Sequence, residues 1–559
     1  MTKPPFPPIA VIADAHYHDL HGDYDFEGIR TGKRRLTARR LTDTMRSTRV
    51  FNESFHALRA TLDDIASRGV RHVVLLGDYS DDGQRATLAG LQRLLETYSR
   101  DHGLIFYAVP GNHDIFGPAG RHHGKRFLRP DGNYAFVAST GDFIDDEAHD
   151  YIVTDKMFCP GYPEGLELLA NIGFFKRDTD LHWECPFGLD DSPAARRYTA
   201  RSPDGTNSYS LVDGSYLVEP VPDLWLLMLD ANIFEPRDGA HDDLRRAFDD
   251  SSDAGWNAAL TQKPFLFDWI GDVTRRAREL GKRVLAFSHY PMIDMLDGTG
   301  ADEMALLGET GSVRRTPRRE VAEAAMTSGL GVHFSGHLHV NDTAAISRGS
   351  GFLVNIGMPS TAAFPAAYKI IDLDESDASV NTVTLDHLPL DADLQSIYRK
   401  EIAVTRKQTG GLLEASDYGE FLSAHIAQTV THRYLKREWP AELARIVKEW
   451  NVIDLFELAG HTPPRSIAPE LLSLPVLEMI GDWYRLRMGS EIALDWIAAD
   501  RLDVYRALID CFADLDAPEG VQRQFSIVMR MMQAYLAGQP SRNFRIDLTS
   551  GNIVPLGDD

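Results

Sequence analysis

Between residues 9 and 114, apolar runs of strand length alternate with stretches of helical spacing, and each run stops on a residue able to bind metal. "IAVIAD" precedes a helix-spaced set, Phe55, Leu58, Leu62 and Ile65, with Gly69 as its stop. Then come "HVVLLGD", a second set of Leu88, Leu91, Leu95 and Tyr98, and "LIFYAVPGNHD". This β-α-β-α-β order predicts an α/β fold with largely parallel strands covered on both faces.

Residues 115 to about 205 break the rhythm with Gly, Pro, Asp and aromatic residues, and read as an insertion or cap. Alternation resumes with "SYSLV", "LWLLMLD", a helix near 265–280, "RVLAFSHYP", a helix near 316–329 and "GVHFSGHLH". A β-rich run follows, "GFLVNIGMPS", "YKIIDL" and "NTVTLDHL". After about residue 389 strand patterns vanish, and Leu443, Ile446, Val447 and Trp450, then Val476, Ile480 and Trp483, take helical spacing. The expected division is therefore residues 1–388 and a C-terminal helical accessory domain at 389–559, through which the chain would restrict access or form an oligomer.

With 559 residues and 43% hydrophobic composition the chain can bury a large core in more than one domain. A net charge of −24 and a pI near 5.2 argue against wholesale wrapping of nucleic acid or anionic membrane. The start "MTKPPFPPIAVIADAHYHD" has too short an apolar run for a signal peptide, and no later segment reaches bilayer-spanning length, so a cytoplasmic location is expected. Cys159, Cys185 and Cys511 form no Cys-x-x-Cys pair, and the first two lack a phosphate-clamping arginine loop, so a disulfide framework, a zinc finger and a cysteine phosphatase are all unsupported.

Residues able to bind metal recur at the strand ends: Asp14 and His16; Asp78 in "LLGDYSDDG"; Asn112, His113 and Asp114 in "VPGNHD"; His289 in "AFSHYP"; His337 and His339 in "FSGHLH". The carboxyl ends of strands are where α/β sites assemble. Carboxylate, imidazole and amide oxygen suit Mn²⁺, Fe or Zn²⁺, and their number exceeds one tetrahedral site, which points to two metal ions. Such a pair can stabilise the attacking and leaving oxygens of a phosphoryl displacement. Glycine before Asp78, Asn112 and His337 would let the backbone turn each ligand inward.

The order D-x-H, G-D-x-x-D-x-G, G-N-H-D, H and G-H-x-H resembles the calcineurin-like metallophosphoesterase family over residues 8 to roughly 385. The resemblance implies a four-layer α-β-β-α sandwich of two mixed sheets. It implies that Asp14, His16, Asp78 and His339 hold one metal and Asp78, Asn112, His289 and His337 the other, with Asp78 bridging. His113 would be the general acid, oriented by Asp114, in hydrolysis of a phosphodiester or phosphomonoester by a metal-bound hydroxide. The small phosphorylated substrate implied by the bacterial branch includes cyclic nucleotides. "GDYSDDG" lacks the arginine of protein Ser/Thr phosphatases, and the acidic chain lacks an obvious nuclease surface, so both are poorer readings. A non-catalytic scaffold of the same fold is the rival from another class, and the filled ligand positions weigh against it.

Weaker signals remain. The run "GKRRLTARR" (Lys33, Arg34, Arg35, Arg39, Arg40) reads as a solvated turn before a phosphate-recruiting edge. Asp81 and Asp82 read as turn or supporting residues, and His122 and His123 read equally as substrate contacts or as surface residues of the cap. In "ADAHYHDL", Asp14 and His16 leave the strand end on one side, whereas His18 falls outside the family's spacing and is assigned to the pocket edge at most.

Overall fold

The computed structural model describes residues 6–239, 241, 243–513, 515 and 519–557. Two seven-stranded sheets dominate it. The first contains β1 (Ile9–Ile12), β2 (His72–Leu76) and β3 (Ile105–Val109); the second contains β4 (His182–Glu184), β5 (Tyr216–Val221), β6 (Leu224–Leu229), β7 (Arg283–Ser288), β8 (Val332–Ser335), β9 (Asp342–Arg348) and β10 (Gly351–Gly357). The chain then returns to the first sheet with β11 (Ala367–Leu373), β12 (Asp377–Thr384), β13 (Asn543–Asp547) and β14 (Ile553–Pro555).

The strand orders are β14-β13-β12-β11-β1-β2-β3 and β9-β10-β8-β7-β6-β5-β4. Neighbours β1-β2-β3 are parallel, as are β6-β7-β8-β10, while the flanking pairs are antiparallel. Both sheets are mixed, as the fold class requires.

The alternation of β6 shows how the layers form. Leu226 and Met228 join the large cluster that also holds Val11, Val73 and Ile371 of the first sheet. Trp225, Leu227 and Leu229 join a second cluster with Leu266, Ile270 and Val273 of α3 (Phe265–Leu280) and Val321 and Ala325 of α4 (Arg319–Thr327). One sheet face therefore meets the other sheet and the opposite face meets helices, so the run is apolar throughout. On the first sheet α1 (Glu53–Ser67) and α2 (Arg85–His102) contribute Leu58, Leu62, Leu91 and Leu95 to the large cluster.

Two readings of the sequence change. Residues 115–205 contain a three-stranded sheet (Gly124–Leu128, Tyr134–Ala138, Asp150–Val153) and also β4, an edge strand of the second sheet. The chain beyond residue 389 is not free of strands: Phe544 and Ile546 of β13 are buried in register with Val380 and Ala378 of β12. Two alternating apolar residues are too short a signal to stand out beside long helices.

The helices after residue 389 include α5 (Ala392–Thr405), α6 (Tyr418–Thr429), α7 (Ala441–Glu449), α8 (Val452–Ala459), α9 (Val476–Gly489), α10 (Ala499–Ala513) and α11 (Gly520–Leu536). They are tied to the helices and loops around the sheets by buried polar contacts. Glu401 accepts from the Leu41 and Thr42 amides at 2.7 and 3.2 Å, and Arg487 pairs with Glu303 at 2.6 Å. Tyr418 donates to the Thr361 carbonyl at 2.8 Å. Among the described residues no helix is long and apolar enough to cross a membrane.

Candidate metal centre

The loops after β1, β2 and β8 bend in an unusual way. Asp14 (φ 49°), His16 (41°), Asp78 (48°), His337 (71°) and His339 (56°) all have left-handed backbone. For an L-residue this costs roughly 1–2 kcal/mol each, and it persists only where surrounding contacts fix it. Here the loops lock onto one another: the His16 amide donates to the Asp78 carbonyl at 2.8 Å, and the His337 amide to the Asp14 carboxylate at 3.0 Å. Asp14 and His16 share a side through this turn beyond Ile12, not through the strand alternation expected for them.

The glycines also work differently from expectation. Gly77 has φ 78° and does turn the chain. Gly111 and Gly336 instead make room: a Cβ on them would lie 2.2 Å from Asp78 Oδ1 and 2.3 Å from Asp14 Oδ2.

Two groups of side chains result. Donor atoms of Asp14, His16 and His339 all lie within 4.8 Å of one another, and so do those of Asp78, His289 and His337. In the first, His16 Nε2 is 3.0 Å from His339 Nε2, which is 3.4 Å from Asp14 Oδ1. In the second, His289 Nε2 lies 3.2 Å from both His337 Nδ1 and Asn112 Oδ1. Asp78 Oδ2 is 3.4 Å from His289 Nε2 and 3.8 Å from His16 Nε2, so it stands between the groups.

Supporting contacts aim the donors. His289 Nδ1 faces the Leu76 carbonyl at 3.0 Å and His337 Nε2 faces the Ser252 carbonyl at 2.9 Å. Each carbonyl takes the ring N–H, leaving the opposite nitrogen as a lone pair directed at the other donors. Asn112 donates one amide hydrogen to Ser252 Oγ at 3.0 Å and presents its oxygen to His289. Tyr290 packs against His337 with ring centroids 4.4 Å apart.

Burial holds His16 and His337 well below the usual imidazole range, hence neutral. Burial pushes His289 down too, but the Asp78 and Asp14 carboxylates carry it up to about 9. That proton sits where a cation would neutralise the same charge. Lone pairs converging beside carboxylates, in a buried place, fit bound cations and fit little else.

The third block is organised unlike the expectation. Asp114, assigned to orient His113, accepts from the Ser80 amide and hydroxyl at 2.9 and 2.8 Å and from the Gly111 amide at 3.0 Å. It pins the second and third loops together, and burial followed by the nearby Asp78 pushes its pKa up to about 8. The carboxylate on His113 is Asp82, with Oδ1 2.6 Å from Nδ1. Burial would raise Asp82, but Lys125 and Arg49 hold it well below the usual range.

The basic run is absorbed elsewhere. Arg39 pairs with Asp81 at 2.8 Å, Arg34 with Asp391 at 2.6 Å, and Arg35 donates to the Gly22 carbonyl at 3.2 Å. Arg49, which the sequence did not single out, reaches the site: its Nη2 is 3.0 Å from Asp81 Oδ1 and 3.3 Å from His113 Nδ1. His18 is not at a pocket edge. It is fully buried, with Nε2 2.8 Å from the Thr37 carbonyl and its ring stacked on Tyr24 and Phe127.

A cleft opens over both groups. Arg49, Asp78, Asn112, His113, His337 and His339 form its near wall; Arg315, His425, Arg433, Tyr434 and Glu438 are on the far wall. The described residues of the 115–205 stretch are absent from its lining and meet the site through Lys125, 2.6 Å from Asp81, and His123, 3.3 Å from Asp82. The expected cap is thus a brace, and the far wall comes from the helix Gly311–Arg315 and the helical region after residue 389. No motif announced Arg49, Arg315 or Arg433.

Residues 7–184 match the family model described as calcineurin-like phosphoesterase. The match bears out the resemblance read from the motifs and the enzyme class it implies, a metal-dependent phosphoester hydrolase. It ends before His289, His337 and His339, which the fold brings to the first three blocks. No curated protein matches the chain. Among solved structures, a dimetal phosphatase from Danio rerio is similar at 16% identity over 68% of this chain and 99% of its own, with a TM-score of 0.35. A phosphopantetheinyl hydrolase from Mycobacterium tuberculosis is similar at 11% identity over 63% of this chain and 90% of its own, with a TM-score of 0.23. Neither likeness is close enough to carry an argument about this site.

Proposed function

Taking residues 7–184 as a calcineurin-like phosphoesterase segment, we propose that this chain hydrolyses a small phosphodiester or phosphomonoester at a dinuclear metal centre. Asp14, His16 and His339 would hold one cation, Asn112, His289 and His337 the other, with Asp78 shared. The metals are drawn from Mn²⁺, Fe and Zn²⁺, which suit this donor set. When bound they supply Lewis acidity and a water of lowered pKa.

The chain's own residues do the rest. His113 is partly exposed to the cleft, beside the groups, with its ring centroid 5.1 Å from that of His16. With Nδ1 held by Asp82, the other nitrogen is left to give a proton to a leaving oxygen. Arg49, fixed by Asp81 and Asp82, lines the same wall and offers a cation to phosphoryl oxygens. The far wall narrows access to small esters.

The observation that carries this reading is the pair of largely buried donor groups, with Asp78 standing between them, beneath a cleft that exposes His113. The test is turnover of p-nitrophenyl phosphate and bis-p-nitrophenyl phosphate by Mn²⁺-loaded protein. Cleavage of at least one, abolished by a chelator and restored by metal, is expected. A protein that binds no metal and cleaves neither ester would overturn the proposal.

A further inference from the structure

The far wall of the cleft carries a charge that hydrolysis alone does not explain. Arg433 lies in a π-helical turn, Val430–Tyr434, that interrupts the helical run after α6. Such turns recur at functional sites because the extra residue re-aims its neighbours. This one is held firmly: Tyr434 stacks on Tyr484 at 4.4 Å with 6° between the rings, and Trp439 donates to the Tyr484 hydroxyl at 3.0 Å.

Arg433 itself is poorly paired. Its guanidinium makes one long contact, 3.4 Å from Nη1 to the Arg46 carbonyl, and its Nε is buried with no partner. Among the described residues no carboxylate lies within ion-pair distance. Burial, with Arg437 and Arg315 nearby, works against its charge.

Arg315 stands on the same wall, with Nε 3.1 Å from Asp253 Oδ1; the other oxygen of Asp253 takes Arg314 at 2.9 Å. Arg315 lines the same cleft as His337 and Arg433. Glu438 is the one carboxylate lining this far wall. A half-buried guanidinium short of partners, in a cleft that ends on a metal centre, is suited to a second anionic group on the molecule whose phosphoester reaches the metals.

We propose that the substrate is a small phosphoester bearing a second anionic group, a phosphate or a carboxylate, recognised by Arg433 with Arg315 lining the same cleft. This rests on the phosphoester reading above.

The test measures inhibition of whichever p-nitrophenyl ester is cleaved, using glycerol 3-phosphate, 3-phosphoglycerate (which adds a carboxylate) and glycerol 1,3-bisphosphate (which adds a phosphate). At least one doubly anionic compound is expected to bind about tenfold or more tighter than glycerol 3-phosphate, the scale of a charge-assisted pair. Arg433→Ala is expected to erase that difference and leave the inhibition by glycerol 3-phosphate, and the KM of the p-nitrophenyl ester, within about twofold. Glu438→Gln is expected to widen it, and carries the test if Arg433→Ala fails to fold. Equal binding of all three compounds by the native protein, or equal weakening of all three by Arg433→Ala, would overturn the inference. Loss of cleavage of both p-nitrophenyl esters by native protein would instead overturn the phosphoester reading.

Discussion

The two walls of the cleft are built from different physics. The near wall is made of loops that end parallel strands, and five of its seven candidate ligands, Asp14, His16, Asp78, His337 and His339, are held in left-handed backbone by contacts among the loops themselves. The far wall is helical and carries a π turn, and its charged residues are Arg315, Arg433 and Glu438. Metal ligation tolerates few residue types and small positional error, whereas recognition of a distant charge tolerates many. The first wall is therefore spelled out in short motifs and the second is not.

The largest effect should come from Asp78, which stands between the two donor groups. Asp78→Asn is expected to lose metal and activity together, a fall of at least about a thousandfold, by metal analysis and turnover. Retained metal with full activity would break the contrast between the walls. His113→Ala should keep its metals and lose about 10²–10⁴-fold with poor leaving groups, much less with good ones, as for a general acid. Asp82→Asn should show the same leaving-group dependence in weaker form. Equal losses with both kinds of ester would remove His113 from the acid role.

A contact outside the cleft lining ties the C-terminal helices to the rest of the chain. Arg487 and Glu303 form a buried pair, 3% and 1% exposed, joining α9 to the helix Gly300–Leu307, and Thr310 also donates to Glu303. Glu303→Ala strands a buried guanidinium and should cost roughly 3–5 kcal/mol in denaturant unfolding. At the small end, Arg34→Ala loses a pair whose arginine is 39% exposed, and should change stability by no more than about 1 kcal/mol.

Much of the fold was legible. Alternating strand and helix signals over residues 9–114 gave the parallel core of the first sheet, and the unbroken apolar run at 224–229 marked a strand buried on both faces. What escaped was set by tertiary contact. β13 is a short strand whose partner β12 lies some 160 residues earlier in the chain, and the edge strand β14 pairs with β13.

The candidate site divides the same way. Asp14, His16, Asp78, Asn112, His289, His337 and His339 converge, because residue type and spacing carry the requirement of a donor set. The partner of His113 did not follow from adjacency: Asp114 is next in sequence, yet its side chain turns to Ser80 and Gly111 while Asp82 comes from the preceding loop. His18 shares the parity of His16 and still belongs to an aromatic cluster, so His18→Ala should retain both metal ions where His16→Ala does not.

The central claim is that two buried donor groups hold two cations through one shared carboxylate. Metal content of purified, Mn²⁺-reconstituted protein, measured by mass spectrometry of the element against protein concentration, addresses it most directly. The account predicts close to two ions per chain in the native protein and a loss of both in Asp78→Asn. A native stoichiometry of one or none, or two ions retained after Asp78→Asn, would contradict it.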